Sequence, residues 1–323
     1  MEFFATFDKP KSMIMKIRKL FTFISLLAVV LSITAQDHQV NEVKINKYVI
    51  GDLYQPKESS TKLAIIIGGS GDMNRDGNQS MIKTDAYKKL AQHLSSNGIA
   101  CFTYDKRVLR LNELGLTESD LRFEDYVTDL TSVVKHFKAS DNYEDFVLIG
   151  HSQGSLVSLI AAQKVGDAVI SIAGAGESID NTLYDQLKKQ LPQSEKKLRE
   201  ALDSLKIKGE VSDYPPQLFS LFRPQAQPFL HSWMQYNPQK LIAQLDLPVL
   251  IINGDQDLQI DVDQAKKLKD AQPKAELVII ENMNHILKES KAKGLANQQT
   301  YQQPELPIVD EFKKEIISFI NNL

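Results

Sequence analysis

Gly150-His151-Ser152-Gln153-Gly154 stands between the apolar run Phe146-Val147-Leu148-Ile149 and the small, apolar stretch Ser155-Leu156-Val157-Ser158-Leu159-Ile160-Ala161-Ala162. The reading is a buried strand, a sharp turn and a helix, in the G-x-S-x-G pattern that lifts a serine hydroxyl above the end of a strand. Side chains at 150 or 154 would collide with neighbouring elements, and so tight a turn strains the backbone at the serine. The helix starts beneath Ser152, so its free N–H groups favour negative charge developing there. Alone, the pentapeptide equally fits a strand-to-helix turn that needs small residues. Its surroundings decide.

Outward from it, the chain alternates. Upstream, Lys62-Leu63-Ala64-Ile65-Ile66-Ile67 is a continuous apolar run, the pattern of a strand covered on both faces, and Gly68-Gly69-Ser70-Gly71 ends it. Asp85 to Asn97 has helical spacing, residues 99–104 read as a strand, and Phe123 to Phe137 mark one helical face. Val43 to Ile50 alternates as an edge strand turned by Gly51-Asp52. Downstream, Ala168 to Ala173 is a strand. The order predicts an α/β fold built on a doubly wound, mostly parallel sheet with right-handed crossovers.

The alternation breaks from about Glu177 to about Lys240. That stretch is polar and helical in spacing, then rich in proline and aromatic residues (Phe219, Phe222, Phe229, Trp233, Tyr236). It reads as a helical cap inserted above the sheet. Strands resume at Pro248–Ile252 and Glu276–Ile280, a helix covers about 261–271, and a last helix presents Phe312, Ile316, Phe319 and Ile320. Core segments at 36–176 and 241–323 thus flank an insertion at 177–240.

With 38 basic and 41 acidic side chains mixed along 323 residues, no basic stripe argues for nucleic acid. The single cysteine, Cys101, rules out an intrachain disulfide and sits in a strand as a small hydrophobe. Lys16, Arg18 and Lys19 precede an uncharged run from Leu20 to Thr34, and Ala35 offers a small exit residue. This predicts a signal peptide over residues 1–35 and an exported, periplasmic or secreted chain. The run is short of the roughly 20 residues a membrane helix needs, so no stable insertion of the mature chain is expected. No cysteine follows it to carry a lipid. Met13 or Met15 makes a more typical start than Met1, which leaves residues 1–12 as a candidate gene-model extension.

A serine hydroxyl needs an adjacent base, itself oriented by an acid, and in such sheets these follow later strands in the order Ser, Asp, His. Of six histidines, His38 adjoins the leader, His93 and His136 fall on helices, His231 falls in the insertion, and His151 faces away within the elbow. His285, in Asn282-Met283-Asn284-His285 after a strand, remains as the base. For the acid, Gly254-Asp255-Gln256-Asp257 offers two carboxylates. Asp257 is preferred because the turn lets it swing back over the sheet edge, whereas Asp255 suits a turn cap. Oxyanion donors are expected at the N–H of Gln153 and at Ser70 N–H, with Gly71 next.

Asp72-Met73-Asn74-Arg75-Asp76-Gly77 imitates half a calcium loop, but Lys83 stands where the closing glutamate belongs and no helix precedes it. Gly69-Ser70-Gly71 lacks the third glycine of a dinucleotide fingerprint. Neither a metal nor a cofactor is expected. Taken with Arg75-Asp76-Gly77-Asn78, Tyr104-Asp105-Lys106-Arg107, the 248–257 strand and turn, and Phe222-Arg223-Pro224 through Ser232-Trp233, the chain resembles the α/β-hydrolases. Within them it is similar to the exported bacterial branch of serine aminopeptidase-like hydrolases and acyl esterases. The resemblance implies a Ser152–Asp257–His285 triad and cleavage of small-molecule esters with short acyl groups. Asp72 and Val108 depart from the proline and glycine common there. A peptidase using the same triad, and a non-catalytic binding protein on this scaffold, are the rivals. Placed over the elbow, the aromatics at 219–233 would either narrow the pocket or form the insertion's own core.

Overall fold

The computed structural model describes residues 38–80, 82–291 and 294–323; the expected signal peptide and its exit at Ala35 lie outside them. The run at 62–67 is strand β3 (Lys62–Ile67), counting β1 (His38–Lys44) and β2 (Ile50–Pro56) before it. Its alternate residues serve two cores. Leu63, Ile65 and Ile67 point into one apolar layer and Ala64 and Ile66 into the other, which is why the run shows no polar alternation.

The remaining strands are β4 (Ala100–Tyr104), β5 (Asp145–His151), β6 (Ala168–Ile172), β7 (Val249–Gly254) and β8 (Glu276–Ile280). They form one sheet in the order β1-β2-β4-β3-β5-β6-β7-β8. β1 and β2 join antiparallel at the edge, and every pairing from β4 to β8 is parallel. After β3 the chain steps to one side for β4 and then to the other for β5. The order therefore reverses at β3, and a crevice opens at the carboxyl ends of β3 and β5.

Helices α1 (Ala86–Ser96) and α8 (Asp310–Asn321) cover one face; α2 (Phe123–Lys138), α3 (Gln153–Ala161) and α7 (Val262–Ala271) cover the other. Between β6 and β7 run α4 (Ile179–Lys188), α5 (Glu195–Lys208) and α6 (Gln227–Trp233). Leu198, Leu202, Leu205 and Phe222 are buried there in an apolar cluster distinct from the two beside the sheet. Most charged residues of α5 are exposed, but Arg199 and Lys206 reach the buried Asp180 of α4. Among the described residues no helix is long and apolar enough to cross a membrane.

One expected boundary is corrected. The strand expected at 43–50 straddles a turn: β1 ends at Lys44, and Asn46 Oδ1 accepts from the N–H groups of Tyr48 (2.7 Å) and Val49 (3.0 Å) to reverse the chain. An asparagine side chain standing in for a backbone acceptor makes such turns without glycine. Gly51 lies inside β2 instead. A Cβ there would sit 2.2 Å from the Thr103 carbonyl oxygen, so this glycine serves close strand approach.

Candidate active site

Ser152 follows β5 at φ 54°, ψ −117°, a strained conformation for a side-chain-bearing residue. Its N–H donates to the Ile172 carbonyl at 2.8 Å, which ties the turn to β6. The flanking glycines make the turn possible. A Cβ on Gly150 would lie 2.3 Å from the Gly154 oxygen, and one on Gly154 would lie 2.2 Å from the Ile67 oxygen.

His285 follows β8 on a loop held by Asn284. That side chain accepts from Ile286 and Lys288 N–H and donates to Asn297 and Thr300. His285 Nδ1 lies 2.7 Å from Asp257 Oδ2, both side chains being buried. A carboxylate only accepts, so the proton is on Nδ1 and Nε2 is left basic. The other Asp257 oxygen accepts from Gln259 and Ile260 N–H at 2.7 and 2.9 Å, fixing the carboxylate as an acceptor. Asp255 is exposed, and its carboxylate accepts from Asn282 N–H at 2.7 Å.

Three cavities meet at the elbow. One of about 180 Å³ is lined by Ser152, His285, His151 and Tyr87. A second, about 310 Å³, runs from Ser152 and Gln153 under Ile179, Leu183 and Trp233. A third, about 370 Å³, holds Gly71, Lys106, Gln153, Phe229 and Trp233. Ser70 borders all three. The loop after β3 passes so close that a Cβ on Gly69 would be 3.3 Å from that of Ser152. Among the late aromatics, Trp233 and Phe229 line cavities, Phe222 is buried in the insertion's cluster, and Phe219 is 59% exposed.

Two interactions were not legible in the sequence. His151, fully buried, lies with Nδ1 2.7 Å from Tyr87 Oη and Nε2 2.8 Å from the His285 carbonyl oxygen. The carbonyl requires a donor, so Nε2 carries the proton and Nδ1 accepts from the tyrosine. Tyr87 Oη in turn accepts from Gly69 N–H at 3.0 Å. Burial, with the neighbouring His285, pushes His151 down to about 3, and the ring is neutral. The second is Lys106, buried, whose Nζ donates to the Gly69 carbonyl and to Gln153 Oε1, each at 2.7 Å, over the Tyr126 ring. Burial pushes it down to about 7, against the pull of Asp72. Contacts between residues 18 to 134 positions apart leave no periodic signal. The only hint was Lys106 standing just past the end of a strand in the parallel sheet.

Arg75 binds Asp105, Asp52 and Glu42, and Asn74 Oδ1 accepts from Asp76 and Asn78 N–H, so this segment braces the loop after β3 against β2 and β4.

Residues 82–220 match the family model described as serine aminopeptidase, S33. No curated protein matches the sequence. Est1E from Butyrivibrio proteoclasticus is similar in structure at TM-score 0.54 and 16% identity, over 87% of this chain and 99% of that one. The Pyrococcus furiosus esterase Pf2001 is similar at 0.53 and 16%, over 88% and 90%. A Mycobacterium tuberculosis puromycin-hydrolyzing peptidase is similar at 0.55 and 13%, over 91% of this chain and 40% of that one. At such identities the likeness is one of fold. The strand order, the strained turn after β5 and these likenesses together give the chain the α/β-hydrolase fold, with residues 82–220 similar to a serine-hydrolase family.

Proposed function

We propose that the protein is a carboxylesterase acting on short-acyl esters through Ser152, His285 and Asp257. The observation that carries the reading is the buried 2.7 Å His285–Asp257 pair, which leaves a basic Nε2 in the cavity that Ser152 borders. Ser152 Oγ attacks the ester carbonyl as His285 Nε2 takes its proton. Asp257 holds the Nδ1 tautomer and offsets the imidazolium charge. The tetrahedral oxyanion accepts from Gln153 N–H and Ser70 N–H, with Gly71 beside them. His285 then protonates the leaving alcohol, and water repeats the sequence on the acyl-enzyme.

The family match favours a second reading, a peptidase with the same triad. A free substrate ammonium would need an unopposed carboxylate. Of the three carboxylates that line the larger cavities, Glu177 is engaged by Lys267 at 3.0 Å and Glu118 by Arg223, whereas Asp72 has no ion pair among the described residues. That two of the three are opposed supports the ester. The charged and apolar pattern of residues 16–35 supports export of the chain.

The test is fluorophosphonate labelling of wild type and Ser152→Ala, followed by kcat/KM on p-nitrophenyl esters from acetate to palmitate and on aminoacyl anilides. Expected are loss of labelling in a folded variant and fastest turnover between acetate and butyrate. Labelling of Ser152→Ala at the wild-type rate removes the triad reading. An optimum at eight carbons or more, or an anilide cleaved faster than the butyrate, removes the substrate reading alone.

A further inference from the structure

The Ser70 N–H makes no hydrogen bond within the described residues, and Gln153 N–H is the first of a helix, where no intrahelical acceptor exists. Both are therefore available to a ligand. Lys106 reaches the peptide that carries one of these donors and the side chain of the residue that carries the other. Its Nζ donates to the Gly69 carbonyl, which belongs to the same peptide unit as the Ser70 N–H, and to the side chain of Gln153.

A trans peptide is planar, with C=O and N–H pointing in opposite directions, and no cis bond occurs among the described residues. Fixing the Gly69 oxygen thus fixes the direction of the Ser70 N–H. An ammonium on that oxygen also draws electron density through the amide and makes the N–H a stronger donor. The loop after β3 is rich in glycine and carries no regular structure of its own, so its peptide planes need such an anchor.

Resting on the esterase reading above, we propose that Lys106 is a positioning residue of the oxyanion hole, orienting and polarising the Gly69–Ser70 peptide while holding Gln153 in register with it. It touches no reacting atom; it acts through the two donors. A buried lysine away from any direct ion pair is costly to a fold. Here the amine is placed where developing negative charge favours its protonated form.

The experiment measures kcat and KM on p-nitrophenyl acetate and the Ki of an aryl trifluoromethyl ketone, whose hemiketal oxyanion mimics the intermediate. Lys106→Met removes charge and donors at similar volume; Lys106→Gln keeps one neutral donor and guards against misfolding of the first. Expected for the folded variants is a loss of kcat of at least about tenfold, with KM within threefold and Ki raised by a similar factor. Gln should fall between Met and wild type. A kcat within threefold of wild type, a loss confined to KM, or an unmoved Ki in a folded variant overturns the proposal. Ser152→Ala runs beside them. If it stays active, the esterase reading fails; if it is dead while the lysine variants are intact, only the role of Lys106 fails.

Discussion

His151 shows how much a single side chain can decide without entering the chemistry. In the unfolded chain a histidine takes a proton near pH 6.5; in the fold burial defers this to about 3. Between those values the unfolded state binds the extra proton, so stability must fall as the pH drops. The slope from this one group approaches about 1.4 kcal/mol per pH unit. His151→Gln should therefore flatten the loss of stability between pH 6.5 and 4.5, read by urea unfolding at several pH values, even if it costs some stability at pH 7. Parallel curves for the two proteins would deny His151 this part. The two acids near β7 separate at the same scale. Asp257→Asn should cost about 10⁴-fold in kcat, because an amide favours the wrong imidazole tautomer. Asp255→Asn should leave kcat within a few-fold, since that exposed carboxylate only caps a turn onto Asn282. A greater loss at 255, with both proteins folded, would reverse the assignment. Ser152, Asp257 and His285 could be named as candidates from the sequence because each follows a strand whose apolar run is plain there. Tyr87, His151 and Lys106 were not readable in their roles, because their partners come from other strands and loops.

At the scale of the element, the turn between β5 and α3 depends on space that two glycines leave open. Gly154 faces backbone: a Cβ there would lie 2.2 Å from the Ile67 oxygen and 2.9 Å from the Gly68 oxygen. Neither atom can swing aside as a side-chain tip could. In Gly154→Ala either α3 or the end of β3 must shift, at a cost of about 1–3 kcal/mol by analogy with overpacked cores. The end of β3 leads into Ser70, so activity should fall by more than tenfold along with the thermal midpoint. An alanine variant with wild-type melting would show that the elbow has slack. Strands and helices of the core were legible because each apolar run is buried on both faces or on one helical stripe. The turn at 45–49 was missed for a local reason: Asn46 makes it with its side chain, and the apolar Val49, fully buried, prolongs the apparent alternation.

The whole molecule sets the size of the pocket, because the helices between β6 and β7 meet the core through a small group of rings. Trp233 stacks on Phe123 at 5.5 Å and 11°, Phe229 packs on Tyr126 at 5.4 Å, and Phe123 N–H donates to Ser232 Oγ at 2.8 Å. The insertion is thereby anchored to α2, and Trp233 stands on the boundary of both larger cavities. The sequence left open whether the late aromatics line the pocket or fill the insertion's core. They divide: Phe229, Trp233 and Tyr236 pack against Phe123 or Tyr126 of α2, and of these Phe229 and Trp233 also line cavities, whereas Phe222 fills the insertion's own cluster. If the acyl chain enters beneath the insertion, the indole sets its length limit. Trp233→Ala should cost about 3 kcal/mol of stability, and should raise kcat/KM for the octanoate relative to the butyrate by tenfold or more. Trp233→Phe should fall between. The measurement is kcat/KM across p-nitrophenyl esters at a temperature where all three proteins are folded. An unchanged chain-length profile in the alanine variant would place the acyl group in the smaller cavity beside His285 and Tyr87. The alcohol would then lie under Trp233, and the same variant should instead alter selectivity along a series of acetate esters with longer alcohols.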